Sequence, residues 1–234
     1  MNLANFRTRA ARVSGMSTSD SGDTDLIDAW ANEAVVQFLK DTKINQITAS
    51  LAVTADSADY TIDTDILSFS DVYIVPASGQ WDTMLEPLDS RELLRRRLLQ
   101  NSAETSVRYY ALQGAHTLML HPAPQSSSDT LHIIYVPRPT STLSTTAHSP
   151  DTDGYGNIPA EYHPILESYV KWKACEAEEH KPSQNGLQFQ SEYERGIARV
   201  KADLARKAGV LKAGAVWGRR GKRFPVTPGT DMKW

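Results

Sequence analysis

Phe189-Gln-Ser-Glu-Tyr193-Glu-Arg-Gly-Ile197-Ala-Arg-Val200-Lys-Ala-Asp-Leu204-Ala-Arg-Lys-Ala208-Gly-Val-Leu211 places apolar residues at spacings of 4, 4, 3, 4, 4 and 3. That period of 3.6 predicts a long helix with one apolar stripe. Asp203 and Lys207 stand four apart on it, a pair worth about 0.2–0.5 kcal/mol. A second helix precedes it. It opens at Pro159, a favourable first-turn residue, buries Tyr162, Ile165, Leu166, Tyr169, Val170 and Ala177, and stops at Pro182. A third lies near the start of the chain, where Leu26, Ile27, Trp30, Ala34, Phe38 and Leu39 form one face from Asp25 onward. Asp23, Asp25 and Asp28 sit at its positive end and Lys40 and Lys43 at its negative end. Met1–Asp23, with its run of Ser and Gly, reads as a segment whose middle is loop.

Between these helices, Ile44 to Val136 reads mainly as strand. Alternation runs through Gln46–Val53, Phe69–Val75 and Val107–Leu112. His116–His121 and Leu131–Val136 are expected to pair as a hairpin across nine residues, too many for a tight turn. One helix interrupts the strands. Asp89-Ser90-Arg91-Glu92 fits a capping box, and Leu93, Leu94 and Leu98 would face the core, leaving Arg95, Arg96 and Arg97 outward. Pro137–Asn157, with eight Ser/Thr between Thr140 and Thr152, predicts an extended surface loop without a core of its own. The expected class is α+β: one N-terminal helix and two long C-terminal helices form a helical core, with an inserted antiparallel β-rich domain and an extended tail. The boundaries fall at 1–43, 44–137, 138–158, 159–213 and 214–234.

The 234 residues, 40% hydrophobic and 23% charged, have the composition of a globular protein, not of a disordered or collagen-like one. No apolar run reaches the ~18 residues of a membrane span, and the first residues lack the apolar segment of a secretory signal. Cys175 is the lone cysteine, so an intrachain disulfide is excluded; it falls inside a helical pattern and is expected to serve packing. The net charge of −3 hides an asymmetry. Residues 195–234 hold eleven Lys/Arg and two acids, +9, against −12 on the other 194. A basic terminal segment of this kind docks on something acidic: a protein, a nucleic acid or another copy.

Catalytic, metal and cofactor signatures are not assembled. No phosphate-binding glycine loop and no nucleophile elbow occurs, and Gly214, Gly218 and Gly221 follow no strand. His163 with Glu167, and Glu176 with His180, are two-residue pairs that lack a third ligand at metal-site spacing. His116, His121 and His132 are expected at the surface of the hairpin. Asp56, Asp59, Asp63 and Asp65 lack the turn glycine of a calcium loop and read as solvated turn residues. Arg95-Arg96-Arg97 is either a solvated face or a contact with an acidic neighbouring subunit or nucleic acid. In the tail, Trp217, Arg219, Arg220, Lys222, Arg223, Phe224 and Trp234 interleave aromatics with cations, a composition typical of interface anchors.

The order of elements adds a family. An acidic first helix is followed by Leu85-Glu86-Pro87-Leu88-Asp89 before a capped helix. Tyr109-Tyr110-Ala111-Leu112-Gln113-Gly114, Leu118-Met119-Leu120-His121-Pro122 and Leu131-His132-Ile133-Ile134-Tyr135 come next, and Ile158-Pro159-Ala160-Glu161-Tyr162-His163 opens the last two helices. Over roughly Thr24–Leu211 this resembles the head-to-tail adaptor (connector) proteins of tailed bacteriophages. The resemblance implies a structural virion protein without catalysis, cofactor or metal. It implies a ring, typically of twelve copies, beneath the portal in the virion neck, assembled in the host cytoplasm. The expected partners are other copies of the chain, the portal protein and the next tail component, with genomic DNA passing through the channel unbound during ejection and no membrane involved. The tail residues named above would dock on the portal, and Arg95, Arg96 and Arg97 would lie between subunits. The alternative is a nucleic-acid-binding protein that uses the basic segment 195–234.

Overall fold

The computed structural model describes residues 1–62, 65–77, 83–99, 106–114, 116–179 and 184–207. The chain divides into two compact units. A helical unit takes Met1–Thr42, Leu143–Pro150 and the chain from Pro159, and a β unit takes Lys43–Thr142 and Asp151–Ile158.

In the helical unit, α1 (Leu3–Ser14) buries Leu3, Phe6 and Ala10. Asn2 caps it, its side-chain oxygen accepting from the Asn5 N–H, and Gly15 ends it at φ +86°, where a side chain would be strained. This helix occupies ground read above as leading into a loop. Its apolar residues stand at i, i+3 and i+7, but four of its twelve positions, Arg7, Arg9, Arg12 and Asn5, mask them. The loop is confined to Gly15–Asp20. Helix α2 (Ser21–Thr42) starts earlier than Asp25, because the Asp20 carboxylate accepts from the Gly22 N–H at 2.7 Å. Its buried side is Ile27, Ala31, Ala34, Val35, Phe38 and Leu39, and Leu26 is 47% exposed rather than core. A short 3₁₀ turn (Ala160–Tyr162) leads into α4 (His163–Glu179), which buries Leu166, Tyr169, Val170, Ala174 and Cys175. Helix α5 (Gln184–Lys207) buries Tyr193, Ile197 and Val200 from the expected stripe. Its continuation to Ala208 and Leu211, like the stop at Pro182, lies outside the described residues.

Helix α4 is the hub, packed by α1, α2 and α5. Ile165 on it meets α5 at Gly196, while Glu167, about 200° further round the helix, meets α1 through Arg9. Arg7 of α1 grips Asp28 of α2 with both ends of its guanidinium, Nε to Oδ1 at 2.7 Å and Nη2 to Oδ2 at 2.5 Å, the fork geometry that makes Arg–carboxylate pairs strong. Part of the Ser/Thr-rich segment also belongs here. Leu143 is buried, and Asn32 brackets it by accepting from its N–H and donating to its carbonyl. Leu143 is thereby drawn from this stretch into the core of the helical unit.

The β unit is built from two four-stranded sheets. One has the order β1 (Ile47–Ala52), β8 (Thr130–Pro137), β3 (Ile66–Val75), β4 (Thr83–Met84), all antiparallel. The other has the order β2 (Asp59–Thr61), β7 (Thr117–His121), β6 (Tyr109–Gln113), β5 (Glu86–Pro87), with β5 parallel to β6. Val72, Ile74, Leu131 and Ile133 of the first sheet pack with Tyr60, Tyr110, Leu118 and Leu120 of the second in one core. The other face of the second sheet is covered by α3 (Ser90–Leu99), where Leu93 meets Ala111 and Met119. Strand β7 is therefore buried on both faces, which explains the uninterrupted apolar run Leu118-Met119-Leu120. The expected β7–β8 hairpin is not formed. Strand β7 turns back on β6 through Gly114 (φ +65°), with Tyr109 opposite His121 and Gln113 opposite Thr117, and β8 belongs to the other sheet.

Candidate assembly interface

Helix α3 begins as its sequence requires: the Asp89 carboxylate accepts from the Arg91 N–H at 2.9 Å. Glu92 does not reach back to close a capping box. It turns toward Arg95 and Arg96, at 3.9 and 3.4 Å. The helix lies on the sheet by a single narrow face, so only Leu93 of its leucines is fully buried; Leu94 is 41% and Leu98 87% exposed. The expectation that Leu94 and Leu98 face the core is thus corrected.

The three consecutive arginines, 100° apart around the helix, receive three different environments. Arg95 projects into solvent. Arg96 lies over the Tyr109 ring at 4.5 Å, a cation–π contact. Arg97, one turn beyond Leu93, points inward: its Nη2 donates to the carbonyls of Ala58 and Leu120 at 2.9 and 3.0 Å and to the Asp59 carboxylate at 2.8 Å. Only two hydrogens serve those three acceptors, so at least one is shared. The group read from the sequence as one outward face therefore splits. Arg97 is a fastener within its own subunit, and Asp59, read as a solvated turn acid, is its partner.

The other singled-out residues separate in the same way. His121 is buried and stacks at 6.4 Å on Tyr109, which corrects its expected surface position; His132 stands in the other sheet, stacked on Tyr73 at 5.0 Å, with Ser50 Oγ 3.1 Å from its Nδ1. Glu167 is buried with cations on two sides, Arg9 Nη1 and Lys171 Nζ each at 2.5 Å, and Glu176 accepts from Trp172 Nε1. His180 and Asp63 lie outside the described residues. Among the described residues there is no group of three or more His, Cys, Asp or Glu arranged to hold a metal ion, and no helix is long and apolar enough to cross a membrane. Asp203 pairs with Arg206 at 3.6 Å rather than with Lys207, whose Nζ lies 3.5 Å from Glu161. Trp217, Arg219, Arg220, Lys222, Arg223, Phe224 and Trp234 all lie outside the described residues.

Two phenol–carboxylate pairs of the helical unit, each with a buried tyrosine, were invisible in the sequence, because the partners stand 136 and 152 residues apart. Tyr169 Oη donates to Glu33 at 2.8 Å and Tyr193 Oη to Asp41 at 3.0 Å, and the two rings meet edge to face. Burial first, and then the neighbouring carboxylates, push both phenols far above their ordinary range. In the unfolded chain a phenol ionises near pH ~10. Above that pH the folded state keeps protons that the unfolded state has lost, so stability falls as pH rises, by up to about 1.4 kcal/mol per pH unit for each tyrosine. Tyr193→Phe is expected to be about 2 kcal/mol less stable than the parent near neutrality, from loss of a hydrogen bond to a charged group. Its denaturation midpoint in urea should then fall less steeply above pH ~10, so that the two proteins converge. Parallel curves would contradict the assignment.

Charged and apolar side chains project from α3, Arg95 and Leu98 among them. The sequence matches the SU10 adaptor protein family over residues 1–216. The chain belongs to that family, and the resemblance to bacteriophage head-to-tail adaptors drawn from the order of elements holds. The match ends just before Trp217. No curated protein matches the sequence. Among solved structures, the chain is similar to one described as "Neck of empty GTA particle computed with C6 symmetry", at 11% identity and a TM-score of 0.28, over 84% of this chain and 88% of that one.

Proposed function

We propose that this adaptor is a non-catalytic subunit of a bacteriophage neck, forming a ring of twelve copies beneath the portal and joining the capsid to the tail. Membership of the adaptor family across residues 1–216 is the observation that carries this reading. Its physical requirements are compatible with the chain. A closed ring needs two different complementary patches per subunit, and docking of an acidic body through a cationic tail gains orientation and encounter rate from charge. In this reading, Trp217, Phe224 and Trp234 anchor the tail on the portal, and Arg219, Arg220, Lys222 and Arg223 steer it.

The test is to mix the purified protein with its cognate portal. The full-length chain is expected to bind, and twelve copies of the 25.9 kDa chain would add about 311 kDa to the portal. Deletion of Val216–Trp234 should abolish binding while leaving the circular dichroism of the helical unit unchanged. Equal binding by both proteins, or by neither, would overturn the docking assignment.

A further inference from the structure

Four exposed residues of α3, Arg91, Leu94, Arg95 and Leu98, recur at i, i+3, i+4 and i+7 and make one continuous stripe. Leu98 is 87% exposed. Four exposed residues of α2, Gly22, Asp25, Leu26 and Ala29, recur at the same spacing and make another. Each stripe carries exposed leucine, Leu94 (41%) and Leu98 on the first and Leu26 (47%) on the second. Their charges are opposite: two arginines on the first, and Asp25 on the second.

We propose that these stripes are the two halves of the contact between adjacent subunits, with the α3 stripe of one copy lying on the α2 stripe of the next. The proposal rests on the ring reading above and assigns its surfaces. Leu94 and Leu98 would cover Leu26, and Arg91 and Arg95 would flank Asp25. Gly22 and Ala29 are small enough to let the helix axes approach closely. Arg95 is available for this role, because its contact with Glu92 spans 3.9 Å and its own side chain is largely in water. Charge also decides the pairing. An α3–α3 contact would set arginines against arginines and an α2–α2 contact would set Asp25 against Asp25, whereas the mixed contact pairs opposite signs. A mixed contact is heterologous, and a heterologous contact is what closes a ring.

The test is disulfide trapping in the full-length chain carrying Leu26→Cys and Leu98→Cys, with and without the portal. The native Cys175 is buried and stays silent. Oxidation is expected to give a ladder of dimers, trimers and higher species from the double variant. A mixture of the two single variants should give dimers and no trimers, and neither single variant alone should cross-link. Arg91→Glu with Arg95→Glu should cut the ladder about tenfold at low salt, and adding Asp25→Arg should restore it. No ladder under either condition, dimers from Leu98→Cys alone, or cross-links from the Leu98→Cys variant to the portal in place of chain-to-chain products would each overturn the proposal. Deletion of Val216–Trp234 leaves both stripes in place. Portal binding without a ladder therefore sinks this contact alone, and a ladder without portal binding sinks the docking reading alone.

Discussion

Gly196→Leu is expected to lower the stability of the helical unit by about 3 kcal/mol or more, with Gly196→Ala destabilising by about 1–2 kcal/mol. The sign is the informative part. Glycine in the interior of a helix costs up to about 1 kcal/mol relative to alanine, so an ordinary Gly→Ala change on α5 would stabilise. Gly196 is not ordinary. A Cβ placed there would stand 2.8 Å from Cγ1 and 2.9 Å from Cγ2 of Ile165 on α4. Both carbons hang from one β-branched centre whose χ1 is stiff in a helix, so no single rotation moves both away. Either α5 shifts or Ile165 leaves its rotamer. Ile165→Ala should therefore rescue Gly196→Ala, with a coupling of about 1–3 kcal/mol in a urea-denaturation double-mutant cycle. Additive single effects would show that the close approach of α4 and α5 carries no energy.

This glycine also shows how far the sequence could be read. Tyr193, Ile197 and Val200 disclose the buried side of α5 through their period, yet Gly196 beside them looks like a mere weak point until its neighbour across 31 residues is known. Helix faces and alternating strands are local patterns, and α2, α5, β1, β3 and β6 were legible for that reason. Pairing is not local. Leu118-Met119-Leu120 announces burial without saying that α3 covers one side, so β7 was matched with β8 instead of β6. Likewise Arg95, Arg96 and Arg97 are identical as letters; their roles depend on where 100° steps around α3 carry them relative to one sheet. Glu33 and Asp41 gave no signal at all, since a carboxylate on a helix is commonplace until a buried phenol donates to it.

Arg97→Ala is expected to cost the β unit about 3 kcal/mol, the loss of several bonds from a charged donor that is mostly shielded from water. Those bonds join α3 to the Ala58–Asp59 segment and to β7 at Leu120, so the change should act where these three meet. Hydrogen exchange should rise in α3 and β2 and stay unchanged in α1, α2 and α4. Arg97→Lys should recover only part of the loss. An ammonium can donate to two or three oxygens, but a lysine stem lacks the planar fork that now aims Nη2 between two carbonyls and a carboxylate. Asp59→Asn tests the electrostatic share separately: it keeps an acceptor for Arg97 and removes the ion pair, whose carboxylate is largely in water, so its cost should stay below about 1 kcal/mol. If Arg97→Ala proved as mild as Asp59→Asn, then Leu93 and the Arg96–Tyr109 contact would hold α3 on its sheet without it. Arg97 would then rejoin Arg95 as a residue free to face a neighbouring subunit.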